Sequence, residues 1–546
     1  MIILKEIPLK YWLTALFFFL IYLINLGFDL VIDAGKYAAV SKTIYETGDL
    51  IRLKIFDKPY DQKPPFMFWL AALSFKVFGL SNYSFKLPTF LFTIFGTFAT
   101  YKLGEALYNR RTGILSAIML ITSQSMLLYN NDTHTDVVLT MCVVIALWQL
   151  HKYISNPNWR NYIAGFTFVG LAVITKGPIG MAVPVFAIIA HILIIKRNEL
   201  LKPVMWLPGL LIVLAISTPT LIGLYHQFGI DGIKFFFWTN NLGRITGTYT
   251  GTNNDYMFYL HTLGYLFLPF SLLTYFGVFH EIKNWGSNRF SFLKSHEGIT
   301  MAIPVFLAIL SVSKTKSPHY ILPAIPLISI ITAKWTDRLI QDRFFSPTVL
   351  KSIIRTQYVV LALLVVGSLL IPIVFFPTIN LWFWIAMILM IGLFVYVLIK
   401  SNTIAEKLVH VPIMAILTVN LILTLHFFPQ IFKYDATPIV SRDFNKAGSE
   451  KANLFVLNNM DYEISFYAKN HPRVIADSTL TKLQFIDEPW VYTDSVGRNK
   501  LFENFPEATT FKHYKYKRVS KIRLKFLLPS TRFNELDDMY LIKVRE

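Results

Sequence analysis

The sequence predicts a polytopic α-helical membrane protein of about thirteen spans, followed by a small C-terminal α/β domain. Three observations carry this expectation. The chain is 54% hydrophobic with a mean hydropathy of +0.48. Only 16% of its residues are charged, against about 25% in soluble domains. Runs long enough to cross a bilayer, about 20 mostly apolar residues, recur up to about residue 428 and then stop.

The first run, 12–28, follows Lys5 and Lys10. It lacks the short apolar core and small-residue cleavage site of a secretory signal. It therefore reads as an uncleaved span with its N-terminus inside. Further spans are expected at about 86–107, 113–130, 137–154, 161–175, 179–195, 203–222, 256–280, 297–312, 319–334, 357–376, 381–399 and 408–428. The run 66–80 carries Lys76 and is too short for an easy crossing, so it suits a helix lying at the interface.

Parity tests that choice. If 66–80 does not cross, Asp33 and Asp136 fall on the same outer side. The inner loops then hold Arg110-Arg111, Lys152 with Arg160, Lys196-Arg197, Lys283 with Arg289, and the basic stretch from Lys334 to Arg355. This is the positive-inside pattern. The net charge of +19 is mainly a topology signal, attraction to anionic lipid is its second reading, and a nucleic-acid partner is not indicated. The single cysteine, Cys142, excludes an intrachain disulfide.

The chain divides at about residue 432. Residues 1–432 form the membrane part. In 433–546 charges rise and no span-length apolar run remains. Strands are expected near Asn453–Leu457, 474–477, 490–493 and 539–544, with helices at 461–470 and 497–504. Alternating elements point to an α/β unit, and an odd number of spans places it outside. The sequence shows no internal repeat.

Asp33 and Asp136 each sit beside an apolar run. Ionisable groups at membrane depth are functional candidates, and two carboxylates on one face can divide proton and binding roles. A lone aspartate in either place would read as a helix cap. Asp132, His134 and Asp136 have a spacing that could hold a divalent metal, although it is not diagnostic. Lys63 precedes Pro64-Pro65, which bias it toward an extended shape and project an ammonium suited to phosphate; a snorkelling lysine is the plain alternative. Arg244 stands in a loop poor in other charge, either solvated or gripping phosphate bidentately. Lys314, Lys316 and Tyr320 add cations and a hydroxyl on the same expected side. Lys176, in Thr175-Lys176-Gly177-Pro178, reads as a turn lysine. Cations gathered outside, against the positive-inside trend, fit an anionic lipid headgroup beside a catalytic carboxylate. The aromatics Tyr60, Trp69, Tyr83, Trp238, Tyr249 and Tyr256 read mainly as an interfacial belt.

Several motifs together carry a resemblance. They are Asp33-Ala34-Gly35-Lys36-Tyr37, Gly48-Asp49-Leu50, Lys63-Pro64-Pro65, the stretch 69–79, Thr135-Asp136, Thr175-Lys176-Gly177-Pro178, Asn241-Leu242-Gly243-Arg244 and His319-Tyr320-Ile321-Leu322-Pro323. In this order the chain resembles the bacterial aminoarabinose transferases that modify lipid A. These lie within the polyprenyl-phosphate-dependent glycosyltransferases of GT-C type, which include the protein mannosyltransferases. The resemblance implies an inverting glycosyltransferase of the bacterial inner membrane. It would use an undecaprenyl-phosphate-linked sugar donor and a lipid or glycan acceptor at the outer face, with the C-terminal domain periplasmic. It implies that Asp33 orients or activates the acceptor and that Asp136 assists. Lys63, Arg244 and Tyr320 would hold the leaving phosphate, and Lys316 joins them by its charge. No cofactor is certain, and a divalent metal stays open.

Three positions depart from the family pattern. Ala34 stands where Glu often follows the first Asp, Gln62 where Glu often precedes Lys-Pro-Pro, and Asn240 where His often precedes the loop arginine. The first argues against the protein mannosyltransferase branch, and Gln62 puts in doubt a metal ligand proposed by analogy with the family. A transporter or flippase of lipid-linked sugars is the alternative. It would more often show broken helices, mid-span polar groups and inverted repeats. A scaffold whose outer domain binds partners is a third reading.

Overall fold

Helices dominate the computed structural model, which describes residues 9–248, 252–285, 298–341, 346–458, 461–519 and 522–545. Arg289 and Tyr249 lie outside the described residues. Five described helices are long and apolar enough to cross a bilayer: Thr135–Ser155, Pro203–Thr239, Pro347–Phe375, Leu381–Lys400 and Glu406–Phe432. Shorter apolar helices run beside them, including Tyr11–Leu26, Phe66–Phe78 and Ile179–Ile194.

Two expected spans are broken. The run at 113–130 is a pair of helices, Arg110–Ile121 and Gln124–Asn131, bent by 44°. The run at 256–280 splits into Phe258–Leu266 and Ser271–Trp285, with Pro269 in the break. Proline lacks the N–H that would continue the helix, and hydropathy alone does not register that.

The helix Thr135–Ser155 lies at the centre of the helical part. It is buried almost throughout, as expected of a helix that is apolar on every face, and it packs against Asn82–Leu107 and Trp159–Lys176. Asn158 caps the latter by accepting from the Arg160 N–H. At its far end Gly177, with φ 92°, donates its N–H to the Val173 carbonyl at 2.6 Å. A glycine tolerates that dihedral without steric cost. The chain then turns into Ile179–Ile194, and Lys176 is left at the end of its helix.

The segment 33–78, between the first apolar run and the next long helix, is well structured. It forms a helix, Asp33–Thr47, then a short antiparallel pair Lys54–Ile55 with Lys58–Pro59, then the helix Phe66–Phe78. Tyr37, Phe68, Phe75 and Phe85 form a small core here, completed by Phe466 from the far end of the chain.

After the helix Ala436–Ala447 comes a five-stranded sheet, ordered Arg473–Ile475, Asn453–Leu457, Pro489–Asp494, Asp537–Lys543, Thr509–Tyr516. The first three strands are parallel and the last two join antiparallel. The edge strand Thr509–Tyr516 was not expected. Its residues are mostly exposed and rich in Lys and His, as edge strands often are, so it carries no apolar run to read.

Candidate functional site

Four helix ends meet at one level. Asp33 opens the helix Asp33–Thr47. Asp136 lies in the first turn of Thr135–Ser155 and Lys176 in the last turn of Trp159–Lys176. Each charge therefore sits where its helix dipole favours it, carboxylates at N-termini and the ammonium at a C-terminus. His319 and Tyr320 come from the 3-10 turn Pro318–Ala324.

One wall is a closed ion-pair network. Asp136 is buried, and its two carboxylate oxygens meet Lys176 Nζ and His134 Nδ1, the latter at 2.7 Å. The other imidazole nitrogen, Nε2, lies 3.4 Å from Asp33 Oδ2. Lys36 pairs with Asp33 Oδ1 at 2.8 Å and reaches Gln62 Oε1 at 3.3 Å. His134 thus bridges the two aspartates, giving the order Lys36, Asp33, His134, Asp136, Lys176. Burial disfavours charge on His134, but its bonds to Asp136 and Asp33 raise its pKa to about 9. Burial also opposes ionisation of Asp33, yet His134 and Lys36 hold its carboxyl well below the usual range. The side chain of Asp136 is 1% exposed and that of Asp33 34%, so only Asp33 is open to an incoming group.

The other wall lines a cavity of about 330 Å³ that Asp136 also borders. Lys63, Lys176, Arg244, Asn240 and Tyr320 supply its polar lining, and Leu139, Ile179, Phe186 and Leu310 its apolar side. Arg244 Nη1 donates to Tyr320 Oη at 2.5 Å. Its Nε and Nη2 both donate to Asn240 Oδ1, at 3.1 and 2.9 Å. The guanidinium plane is thereby fixed with little freedom left. Lys176 Nζ stands 4.5 Å from the centre of the Tyr320 ring. Burial, then Lys176 and Arg244, push Lys63 down to about 7. The cavity combines a group of cations with an apolar lining, a combination suited to a phosphate joined to a hydrocarbon tail.

The sequence-derived residues divide accordingly. Asp33 and Asp136 come together through His134, while Lys63, Arg244 and Tyr320 come together in the cavity. Lys316 does not join them. Its Nζ donates to the Ser313 and Asn253 carbonyls at 2.6 and 2.7 Å, where it ties loop backbone. Lys176, read from the sequence as a turn lysine, is a member of both walls. The clue was its place at the end of an apolar run, in the turn Thr175-Lys176-Gly177-Pro178. His134 was visible only as a metal candidate, and Lys36 was not singled out.

The candidate metal group also differs from the one expected. His134, Asp136 and His319 present ligand atoms within 4.8 Å of one another, and Asp132 is not part of that group. Asp136 is already satisfied by Lys176 and His134, so a cation would have to displace the lysine. Two of the three departures from the family pattern meet: Asn240 Nδ2 donates to the Gln62 carbonyl oxygen at 3.2 Å. The positions are neighbours, but both side chains are neutral amides rather than a carboxylate and an imidazole.

Comparison with known proteins agrees with this architecture. Residues 62–222 match the family described as dolichyl-phosphate-mannose-protein mannosyltransferase. The chain is 25% identical over 337 residues to an undecaprenyl phosphate-alpha-4-amino-4-deoxy-L-arabinose arabinosyl transferase of Yersinia pestis, covering 59% of this chain and 58% of that one. It is 26% identical over 329 residues to an uncharacterised protein of Aquifex aeolicus, covering 59% and 63%. The matches therefore span about three-fifths of these curated relatives. The crystal structure of ArnT from Cupriavidus metallidurans bound to undecaprenyl phosphate superimposes with a TM-score of 0.73 at 17% identity, over 97% of this chain and 98% of that one. Its apo state gives 0.75 at 16% identity, over 97% of each. The fold expected from the resemblance is the fold found: largely helical, with several helices apolar and long enough to cross a bilayer, and arranged as in the ArnT structures.

Proposed function

We propose that this relative of the aminoarabinose transferases is itself an inverting membrane glycosyltransferase. Its donor is an aminoarabinose-like sugar on undecaprenyl phosphate, and its acceptor is an extracytoplasmic lipid or glycan, such as a phosphate of lipid A. In this reading about thirteen segments cross the inner membrane, and the domain 433–546 lies in the periplasm beside the site.

The observation that carries the proposal is the cation-headed cavity. Transfer breaks the bond between the anomeric carbon and a phosphate oxygen. The bonding pair leaves with the phosphate, whose charge grows from a diester's to a monoester's. Arg244 and the Tyr320 hydroxyl are braced and Lys63 is buried beside them before that charge develops, and preorganised donors stabilise the transition state most effectively. The apolar side of the cavity takes the start of the polyprenyl chain. The acceptor oxygen attacks the opposite face of the anomeric carbon, from the side of Asp33; an ionised phosphate oxygen has no proton to lose, and a hydroxyl acceptor would release its proton past Asp33 to water. A carboxylate held so firmly ionised is a weak base. Asp33 therefore acts mainly by orienting the acceptor and by facing the positive charge that builds on the sugar ring. His134 and the pair Asp136–Lys176 keep it in place.

The test is reconstitution of the full chain in liposomes with undecaprenyl-phosphate-linked aminoarabinose and lipid A. Mass spectrometry should show lipid A heavier by one sugar. Movement of the donor across the bilayer without a new glycosidic bond would instead identify a transporter.

A further inference from the structure

The helix that carries Asp33 begins badly. Its N-cap residue, Ile32, has φ 53° and ψ −114° and offers no side-chain cap. A β-branched residue at positive φ is strained, and the first N–H groups of a helix need partners from elsewhere. Here the partner comes from more than 400 residues away. The Ile32 N–H donates to Oε1 of Glu463, at the start of the short helix Glu463–Tyr467. Glu463 is buried, 6% exposed. Gly35 faces it so closely that a Cβ there would lie 2.1 Å from Glu463 Cγ. Only a glycine on this face of the helix lets the glutamate reach the backbone.

The rest of the segment grips the same helix along its length. Lys42, one turn from its end, is buried and donates to the carbonyls of Ser465, Phe466 and Ala468, at 3.2, 3.3 and 2.6 Å. The Leu30 N–H donates to Tyr467 Oη at 2.6 Å, and that hydroxyl donates to Asn82 Oδ1 at 2.9 Å. Arg442 pairs with Asp29. Lys36, the ion partner of Asp33, lies 5.8 Å from the centre of the Tyr462 ring. Residues of the C-terminal part therefore hold both ends of the Asp33 helix and border its first turn.

We propose that Glu463 is a positioning residue for Asp33. Its contact with the Ile32 backbone sets the start of the helix, and with it the direction in which the Asp33 carboxylate faces His134 and the acceptor. This gives the C-terminal part a function in the reaction: it completes the carboxylate wall. The inference rests on the transfer activity proposed above. Burial, with Asp435 and Asp461 nearby, raises the Glu463 carboxyl well above its ordinary pKa. A neutral amide of the same length should therefore replace it well.

The experiment compares the wild-type chain with Glu463→Ala, Glu463→Asp and Glu463→Gln in the liposome transfer assay. Misplacing a reacting group by about 1 Å costs on the order of 100-fold. Alanine removes the acceptor and aspartate withdraws it by one methylene, so both should lower kcat about 10- to 100-fold. The donor KM should stay within about twofold, because the cation cavity is built on other elements. Glutamine keeps the acceptor and should restore kcat to within about threefold. Undiminished kcat in the alanine variant would overturn the proposal. So would an equal loss in glutamine and alanine, or a donor KM that rises in step with the loss. If the alanine chain fails to fold, aspartate against glutamine decides the matter. A wild-type chain that transfers nothing refutes the proposed function itself, a result distinct from all of these.

Discussion

The two walls of the site handle charge in opposite ways. On the carboxylate wall every charge has a fixed partner, running from Lys36 through Asp33, His134 and Asp136 to Lys176. On the cavity wall Arg244 is braced by neutral groups, Asn240 and the Tyr320 hydroxyl, and Lys63 is pushed down by burial beside other cations. Buried ions are costly without partners. The first wall is a chain of opposite charges, whereas the second gathers cations and neutral donors beside an apolar lining, a combination suited to an arriving lipid phosphate. The contrast separates the group that faces the acceptor from the groups that receive the leaving phosphate, and it makes distinct predictions for each.

The largest effect should come from Asp33→Asn. It removes the one exposed carboxylate while leaving a side chain of the same shape. We expect transfer to fall by about 10³-fold or more, with donor binding and membrane insertion unchanged. A variant with full kcat would break the comparison at its acceptor side.

Next comes Arg244→Ala, which removes a preorganised donor. Loss of one such group typically costs about 10²- to 10³-fold in kcat, and single-turnover transfer should show it. Lys176→Met sharpens the contrast because Lys176 belongs to both walls. It leaves a buried Asp136 without its cation, so stability should fall by about 3–5 kcal/mol as well as activity. Thermal unfolding in detergent reads that part directly.

A smaller effect should appear with pH. Lys63 has its pKa lowered to about 7, so its charge is present below that value and lost as pH rises through it. Lys176, Arg244, Asp136 and Asp33 face the same ammonium. Donor affinity should weaken with rising pH, by up to about tenfold per unit. Lys63→Arg stays charged and should flatten the profile. A wild-type profile without slope between about pH 6 and 8 would remove Lys63 from the phosphate site. The smallest effect is expected for Lys316→Ala, less than about threefold, since its ammonium is spent on loop carbonyls.

The sequence made the carboxylates and the main cations legible because each stood at the end of an apolar run or beside a distinctive turn. Asp33, Asp136, Lys63 and Arg244 needed no structure to be picked out. The linking groups did not announce themselves. His134 works by a hydrogen bond to Asp136 and an ion contact with Asp33 that depend on how two helix ends approach each other, and no spacing encodes that. Lys176 looked like any lysine after a span. Asn240 appeared only as a departure from a pattern, yet it is the group that orients Arg244. Glu463 lies in a short helix far along the chain, where nothing local marks a contact with Ile32. In the fold, strands with apolar runs such as Asn453–Leu457 were readable, whereas the charged edge strand Thr509–Tyr516 was not. The helix Asp33–Thr47 was hidden because its polar and small residues resemble a loop.

The central claim is that the cavity wall, and not the carboxylate wall, holds the donor phosphate. Binding of undecaprenyl phosphate to the purified full-length chain tests this most directly. The account predicts that Lys63→Ala combined with Arg244→Ala weakens binding by about 100-fold or more, while Asp33→Asn binds as the wild type does. Wild-type affinity in the double variant, or loss of binding in Asp33→Asn, would contradict it.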